Sequence, residues 1–112
     1  MKYVNVTNEA RIIPSRERSA YGRTGGLNSV LSINDINAAL GFRAQQNKPS
    51  SDNKTTRCWT FTVNGISCSI WDYKGYRWST SGPHYILQAI FGENYTADVY
   101  PGVGKAIKVI TA

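Results

Sequence analysis

Arg57-Cys58-Trp59-Thr60-Phe61-Thr62-Val63-Asn64-Gly65-Ile66-Ser67-Cys68-Ser69-Ile70-Trp71-Asp72-Tyr73 decides how the chain folds. The side chains alternate with period two on both sides of Asn64-Gly65, and that dipeptide supplies the positive φ values of a type I′ turn. A two-residue turn fixes the pairing. Val63 opposes Ile66, Phe61 opposes Cys68, Trp59 opposes Ile70 and Arg57 opposes Asp72, all on one face. That face is apolar and ends in an Arg–Asp pair. The other face carries Thr62 with Ser67, Thr60 with Ser69, Cys58 with Trp71 and Thr56 with Tyr73. Cys58 and Cys68 therefore sit on opposite faces and are not expected to bond to each other.

Working downstream, Lys74-Gly75 reads as a second two-residue turn into a strand over 76–80. This register sets Tyr76 against Tyr73, Arg77 against Asp72 and Trp78 against Trp71. It gathers Trp71, Tyr73, Tyr76 and Trp78 on the face opposite the core. Such a cluster is covered by another segment, forms a subunit interface, or is a stacking platform for bases. Ser81-Gly82-Pro83 opens a short helix over His84–Phe91, closed by Gly92, whose Ile86, Leu87, Ile90 and Phe91 cover the core face. Strand-like runs follow at Tyr95–Tyr100 and Val103–Ile110, split by Pro101-Gly102.

Upstream, Ser32 with Asp35 three residues on is an N-cap pattern, and Gly41 stands where a helix stops. The spacing predicts a helix over 33–40. Gln45 to Thr56 is polar and reads as a linker loop. Tyr3–Thr7 alternates like an edge strand. Pro14 to Gly26 is rich in Arg, Ser and Gly without hydrophobic period and reads as a loop. The expected fold is a single α+β domain over 1–112. It has an antiparallel sheet of four to six strands and two short helices, a hairpin and meander core at 57–80, and a basic Arg/Gly-rich segment at 1–31.

The chain has 112 residues, enough for one core and too few for two ordinary domains. Lys plus Arg number 13 against 7 Asp plus Glu, a net charge of +6, which points to an anionic partner. No apolar run approaches the roughly 18 residues of a membrane span, and the first residues lack a signal-peptide core. A cytoplasmic location is expected, and with it reduced thiols. Two cysteines and one histidine are too few for an ordinary zinc site, so neither metal nor cofactor is expected. No paired carboxylates or Ser/His/Asp set stands at a spacing suited to catalysis. The chain reads as a binder, not an enzyme.

Arg11, Arg16, Arg18 and Arg23 are interleaved with Ser15, Ser19, Tyr21, Thr24 and Gly25-Gly26. Guanidinium groups grip phosphate oxygens in bidentate fashion, hydroxyls add donors, and glycines let backbone amides approach an anion. Arg16, Arg18, Arg23, Thr24 and Gly25 are the expected phosphate ligands, with Tyr21 stacking on a base. The plainer reading is a solvated basic arm. Changing an arginine of this loop is expected to cost affinity and leave thermal stability unaltered. Arg57 and Arg77 flank Asp72 as a second cluster: an ion-pair network, or a second part of the binding site if phosphate displaces the carboxylate.

Ser15 to Asn28, the Ser-Ile-Asn-Asp-Ile-Asn helix and Ile70-Trp71-Asp72-Tyr73-Lys74-Gly75 resemble small proteins encoded by bacteriophages. In size and in basic, aromatic character the chain is most similar to the Thoeris anti-defence family. The resemblance implies a symmetric homo-oligomer that sequesters a nucleotide-derived immune signal, such as a cyclic ADP-ribose isomer or cyclic oligonucleotide, without cleaving it. The rival expectations are a single-stranded nucleic-acid binder using the aromatic face and a protein-binding inhibitor of a host nuclease.

Overall fold

The computed structural model describes residues 9–16, 22–48, 55–73, 77–98 and 107–112. In order these form β1 (Glu9–Pro14), β2 (Gly25–Leu27), α1 (Ile33–Leu40), β3 (Cys58–Val63), β4 (Ile66–Tyr73), β5 (Arg77–Ser81), α2 (His84–Phe91), a 3-10 turn at Gly92–Asn94, β6 (Tyr95–Ala97) and β7 (Lys108–Ile110). The fold is α+β. Its sheet has seven strands in the order β6-β2-β5-β4-β3-β1-β7. It is mixed, because β7 runs parallel to β1, with Glu9 opposite Lys108. The expected sheet of four to six antiparallel strands is corrected on both counts. β1 and β2 fall in segments where no strand is expected, and β2 is a three-residue Gly-Gly-Leu run with no alternation to reveal it. The expected strand at 3–7 and the turn at Pro101-Gly102 lie outside the described residues.

The hairpin forms in the expected register, from Cys58 opposite Trp71 to Val63 opposite Ile66. Asn64 (φ 52°) and Gly65 (φ 75°) both take the left-handed conformation that the turn needs. Trp59, Phe61, Val63, Cys68 and Ile70 are fully buried on one face. Ile36 and Leu40 of α1 and Ile86 and Leu87 of α2 complete that core. Removing each large side chain from water contributes about 1.5–3 kcal/mol. Both helices thus lie on the core face. The 33–40 helix does not cover the opposite one.

The next strand differs from expectation. Tyr73 pairs with Arg77, Asp72 with Trp78 and Trp71 with Ser79. Three residues, not two, separate the paired ends of β4 and β5, and a slip of one residue turns every side chain of β5 to the other face. Trp78 therefore enters the core side. Its ring meets Trp59 edge to face at 5.6 Å, and its Nε1–H donates to the Leu31 carbonyl at 2.8 Å. The expected assembly of Trp71, Tyr73, Tyr76 and Trp78 on one face is corrected: Trp71 and Trp78 lie on opposite faces. Tyr76 lies outside the described residues.

α1 is capped as its sequence predicts. The Asp35 N–H donates to the Ser32 hydroxyl at 3.1 Å, and the Ser32 N–H donates to the Asp35 carboxylate at 2.8 Å. That backbone donor, with the Ser32 hydroxyl, holds the Asp35 carboxyl below its ordinary range. At the other end Gly41 sits at φ 86°, and the Ala112 N–H donates to the Leu40 carbonyl at 2.9 Å. Among the described residues no helix is long and apolar enough to cross a membrane.

Candidate functional site

On the sheet face away from the helices, short and mostly polar side chains surround Trp71: Thr62 and Ser67; Thr60, Ser69 and Ser81; Cys58, Trp71 and Ser79. The strand order alone puts these residues in rows across the sheet. At the β3 side a cleft of about 500 Å³ is lined by Arg16, Gln45, Gln46, Cys58 and Thr60. Its floor is built where β1 stops. The Ser15 N–H donates to the Thr60 carbonyl at 2.9 Å, and from there the side-chain amide of Gln45 continues the ladder. Gln45 Nε2 donates to the carbonyls of Ser15 (2.8 Å) and Thr60 (2.9 Å), while its Oε1 accepts from the Thr60 N–H at 2.7 Å. The Thr60 hydroxyl donates to the Ser15 carbonyl. A primary amide carries one acceptor and two donors in a plane, so it can stand in for a strand's peptide group. Nothing in the polar run from Gln45 to Thr56 marks Gln45 for this position.

Arg16 emerges from that floor exposed. Among the described residues its guanidinium makes neither a hydrogen bond nor an ion pair, and the ion pairs present are Arg23–Asp98 and Lys108–Glu9. The described acids are largely engaged within the fold. Besides Glu9 and Asp98 in those pairs, Asp35 accepts from the Ser32 amide. Buried Asp72 accepts from the backbone amides of Thr56 (2.9 Å) and Arg57 (2.7 Å). Among the described residues, Arg11, Arg16, Arg43, Lys48 and Arg57 are left without a carboxylate partner.

The remaining expected ligands divide. Arg23 does not share the cleft with Arg16. It lines a second, smaller cleft of about 270 Å³ with Asn28, Glu93, Asn94 and Asp98. There its Nε and Nη2 donate to the Asp98 carboxylate at 2.9 and 3.2 Å, and its Nη1 donates to the Ser79 hydroxyl at 2.6 Å. Arg16 and Arg23 thus line separate clefts, and Arg23 ties strands together. Gly25 is buried at the β2 rung between β5 and β6. A Cβ there would come within 2.5 Å of the Thr96 carbonyl and 2.8 Å of the Tyr95 hydroxyl, so close packing, not an anion, accounts for the missing side chain. The Thr24 N–H donates to the Thr80 carbonyl at 2.8 Å, continuing that ladder. Arg18 and Tyr21 lie outside the described residues.

The expected Arg57–Asp72–Arg77 network is also corrected. Arg57 does oppose Asp72, whose N–H donates to the Arg57 carbonyl at 3.3 Å. The carboxylate, however, is held by backbone amides, and the register shift places Trp78 opposite it and moves Arg77 opposite Tyr73.

A polar group that sequence reasoning missed joins α2 to β6. The Tyr95 hydroxyl and His84 Nδ1 are hydrogen-bonded. Burial pushes the Tyr95 hydroxyl above its ordinary value, with the Thr24 and Thr80 hydroxyls pulling it partway back. Thr80 Oγ1 is wholly buried and makes no hydrogen bond among the described residues. Cys58 and Cys68 are not joined in a disulfide; both are buried, on opposite faces as expected. Burial pushes the Cys68 thiol up to about 12. Among the described residues no group of three or more His, Cys, Asp or Glu is placed to hold a metal ion. Comparisons with protein-family models, with curated proteins and with solved structures found no match to this chain.

Proposed function

We propose that the protein binds and holds a small phosphorylated nucleotide without altering it, the sequestering role that its sequence resemblance implies. The observation that carries this reading is Arg16: a guanidinium without a protein partner among the described residues, at the mouth of a cleft of about 500 Å³. That volume suits a nucleotide-sized ligand. Arginine is the side chain best matched to phosphate geometry, and the +6 net charge draws anions toward it. The hydroxyl and amide groups lining the cleft are held by backbone partners, which suits recognition more than acid–base chemistry.

The test is calorimetric titration with ADP-ribose and cyclic dinucleotides, followed by recovery of the bound molecule after heat denaturation. A ligand should bind, return chemically intact, and lose roughly ten- to hundredfold in affinity in Arg16→Ala, with an unchanged melting temperature. Recovery of an altered molecule, or no binding of any of these ligands, overturns the proposal.

A further inference from the structure

The chain has three tryptophans, and two have evident structural roles. Trp59 is fully buried and donates its Nε1–H to Asn37 Oδ1 at 2.9 Å; Trp78 packs on Trp59 and donates to the Leu31 carbonyl at 2.8 Å. Trp71 differs. It stands partly exposed on the hydroxyl-lined face, and among the described residues it makes neither a hydrogen bond nor a ring contact. Its rung of the sheet reads Cys58, Trp71, Ser79, Gly26, Thr96. The neighbours on either side are a thiol and a serine, too short to cover an indole.

The position of this ring relative to the cleft is fixed by strand pairing. Cys58 and Thr60 line the cleft, Cys58 lies directly opposite Trp71, and Thr60 is diagonal to it. Diagonal neighbours on one face are roughly 7–8 Å apart. A ligand whose phosphate meets Arg16 beside Thr60 can therefore extend over Cys58 toward the indole.

We infer that Trp71 is the base-stacking residue of the Arg16 cleft, so that the ligand is a nucleotide recognised by its base as well as its phosphate, and not a simple polyanion or sugar phosphate. This rests on the nucleotide-binding reading above and narrows it. An indole face accepts any base, and such stacking contributes roughly five- to hundredfold in affinity. Charge from Arg16 holds one end of the ligand while the apolar ring holds the other.

The experiment compares AMP with ribose 5-phosphate on the parent protein and on Trp71→Ala, Trp71→Phe and Arg16→Ala, reading affinity, melting temperature and tryptophan fluorescence. The parent should bind AMP more tightly than ribose 5-phosphate, with quenching of indole emission. Trp71→Ala should erase that preference and leave the ribose 5-phosphate affinity unchanged. Trp71→Phe should keep most of the preference and lose the quenching, since Trp59 is fully buried and Trp78 lies on the opposite face of the sheet. The inference is overturned if the parent binds both ligands equally, or if Trp71→Ala keeps full AMP affinity, while Arg16→Ala weakens both; the phosphate site then stands alone. Should the alanine variant fail to fold, the phenylalanine variant decides: unchanged quenching overturns the inference. If neither ligand binds the parent, the nucleotide reading falls with it.

Discussion

Arg23 grips Asp98 through two nitrogens, at 2.9 and 3.2 Å, and so pins the chain entering β2 to the chain leaving β6. Both side chains keep about a third of their surface in water (31% and 40%), so solvent screens the pair. Its bidentate geometry and the extra hydrogen bond to Ser79 raise it above an ordinary surface pair. Arg23→Ala should cost about 1 kcal/mol, lowering the melting temperature by roughly 3–6 °C, and leave ligand affinity at the Arg16 cleft unaltered. A double-mutant cycle with Asp98→Ala, read by urea unfolding, should show a coupling of similar size. Additive effects would mean the two side chains do not act as a pair.

Gln45 offers a sharper chemical contrast. Its amide supplies donors to two carbonyls and an acceptor to one amide where β1 ends beside β3. Gln45→Glu keeps the shape but sets a carboxylate against the carbonyls of Ser15 and Thr60. It should destabilise the fold by about 1–3 kcal/mol, through lost donors and repulsion. Chemical denaturation checks this. A glutamate variant as stable as the parent at neutral pH is incompatible with the observed pairing.

At Gly41 two constraints coincide. The residue is left-handed at φ 86°, and an added Cβ would come within 2.7 Å of the Ala112 backbone. Gly41→Ala should lose about 1–2 kcal/mol from the backbone conformation alone. Displacement of the Thr111–Ala112 segment adds to this. Loss of protection at the Ala112 amide, followed by hydrogen exchange, is the specific readout.

Alkaline pH should weaken the fold in a defined window. Cys68 has its thiol raised from 9.0 to about 12 by burial. The unfolded thiol ionises first, so the folded state binds the extra proton. The stabilisation is complete below about pH 9 and declines as pH rises toward 12. The slope approaches about 1.4 kcal/mol per pH unit for this one group. Cys68→Ala should flatten the lower part of that decline, and the raised Tyr95 hydroxyl adds to it above its own unfolded range. Melting temperatures from pH 8 to 11 test it. Identical profiles for parent and variant would rule the thiol out.

The parts of the fold visible in the sequence are those where one local rule suffices. Period-two alternation around Asn64-Gly65 sets eight cross-strand pairs, and the six from Cys58–Trp71 to Val63–Ile66 form the β3–β4 ladder. Ser32, Asp35 and Gly41 mark both ends of α1 by capping chemistry alone. What stayed hidden depends on non-local partners. Lys74-Gly75-Tyr76 fits a two- or three-residue connection equally well, and Arg-Trp-Ser-Thr-Ser has no alternation to choose between them. β2 is a strand because β5 and β6 offer it hydrogen bonds on both sides. At the site, Arg16 was visible as a cation in a basic run. That Arg23 would instead meet Asp98, 75 residues away, has no local signature.

The strand order has a consequence for how the sheet comes into being. Its three central strands, β4 flanked by β3 and β5, are consecutive in the chain and joined by tight connections; every strand outside them is recruited from far away in sequence. Short-range closures cost little entropy, while those joining Glu9 to Lys108 cost more and come when the centre already exists as a template. The sheet therefore grows outward from a local seed. Trp71 belongs to that seed, whereas Arg16 follows β1, a late arrival. Arg16 and Trp71 thus belong to different generations of the same structure, and only the completed sheet holds both.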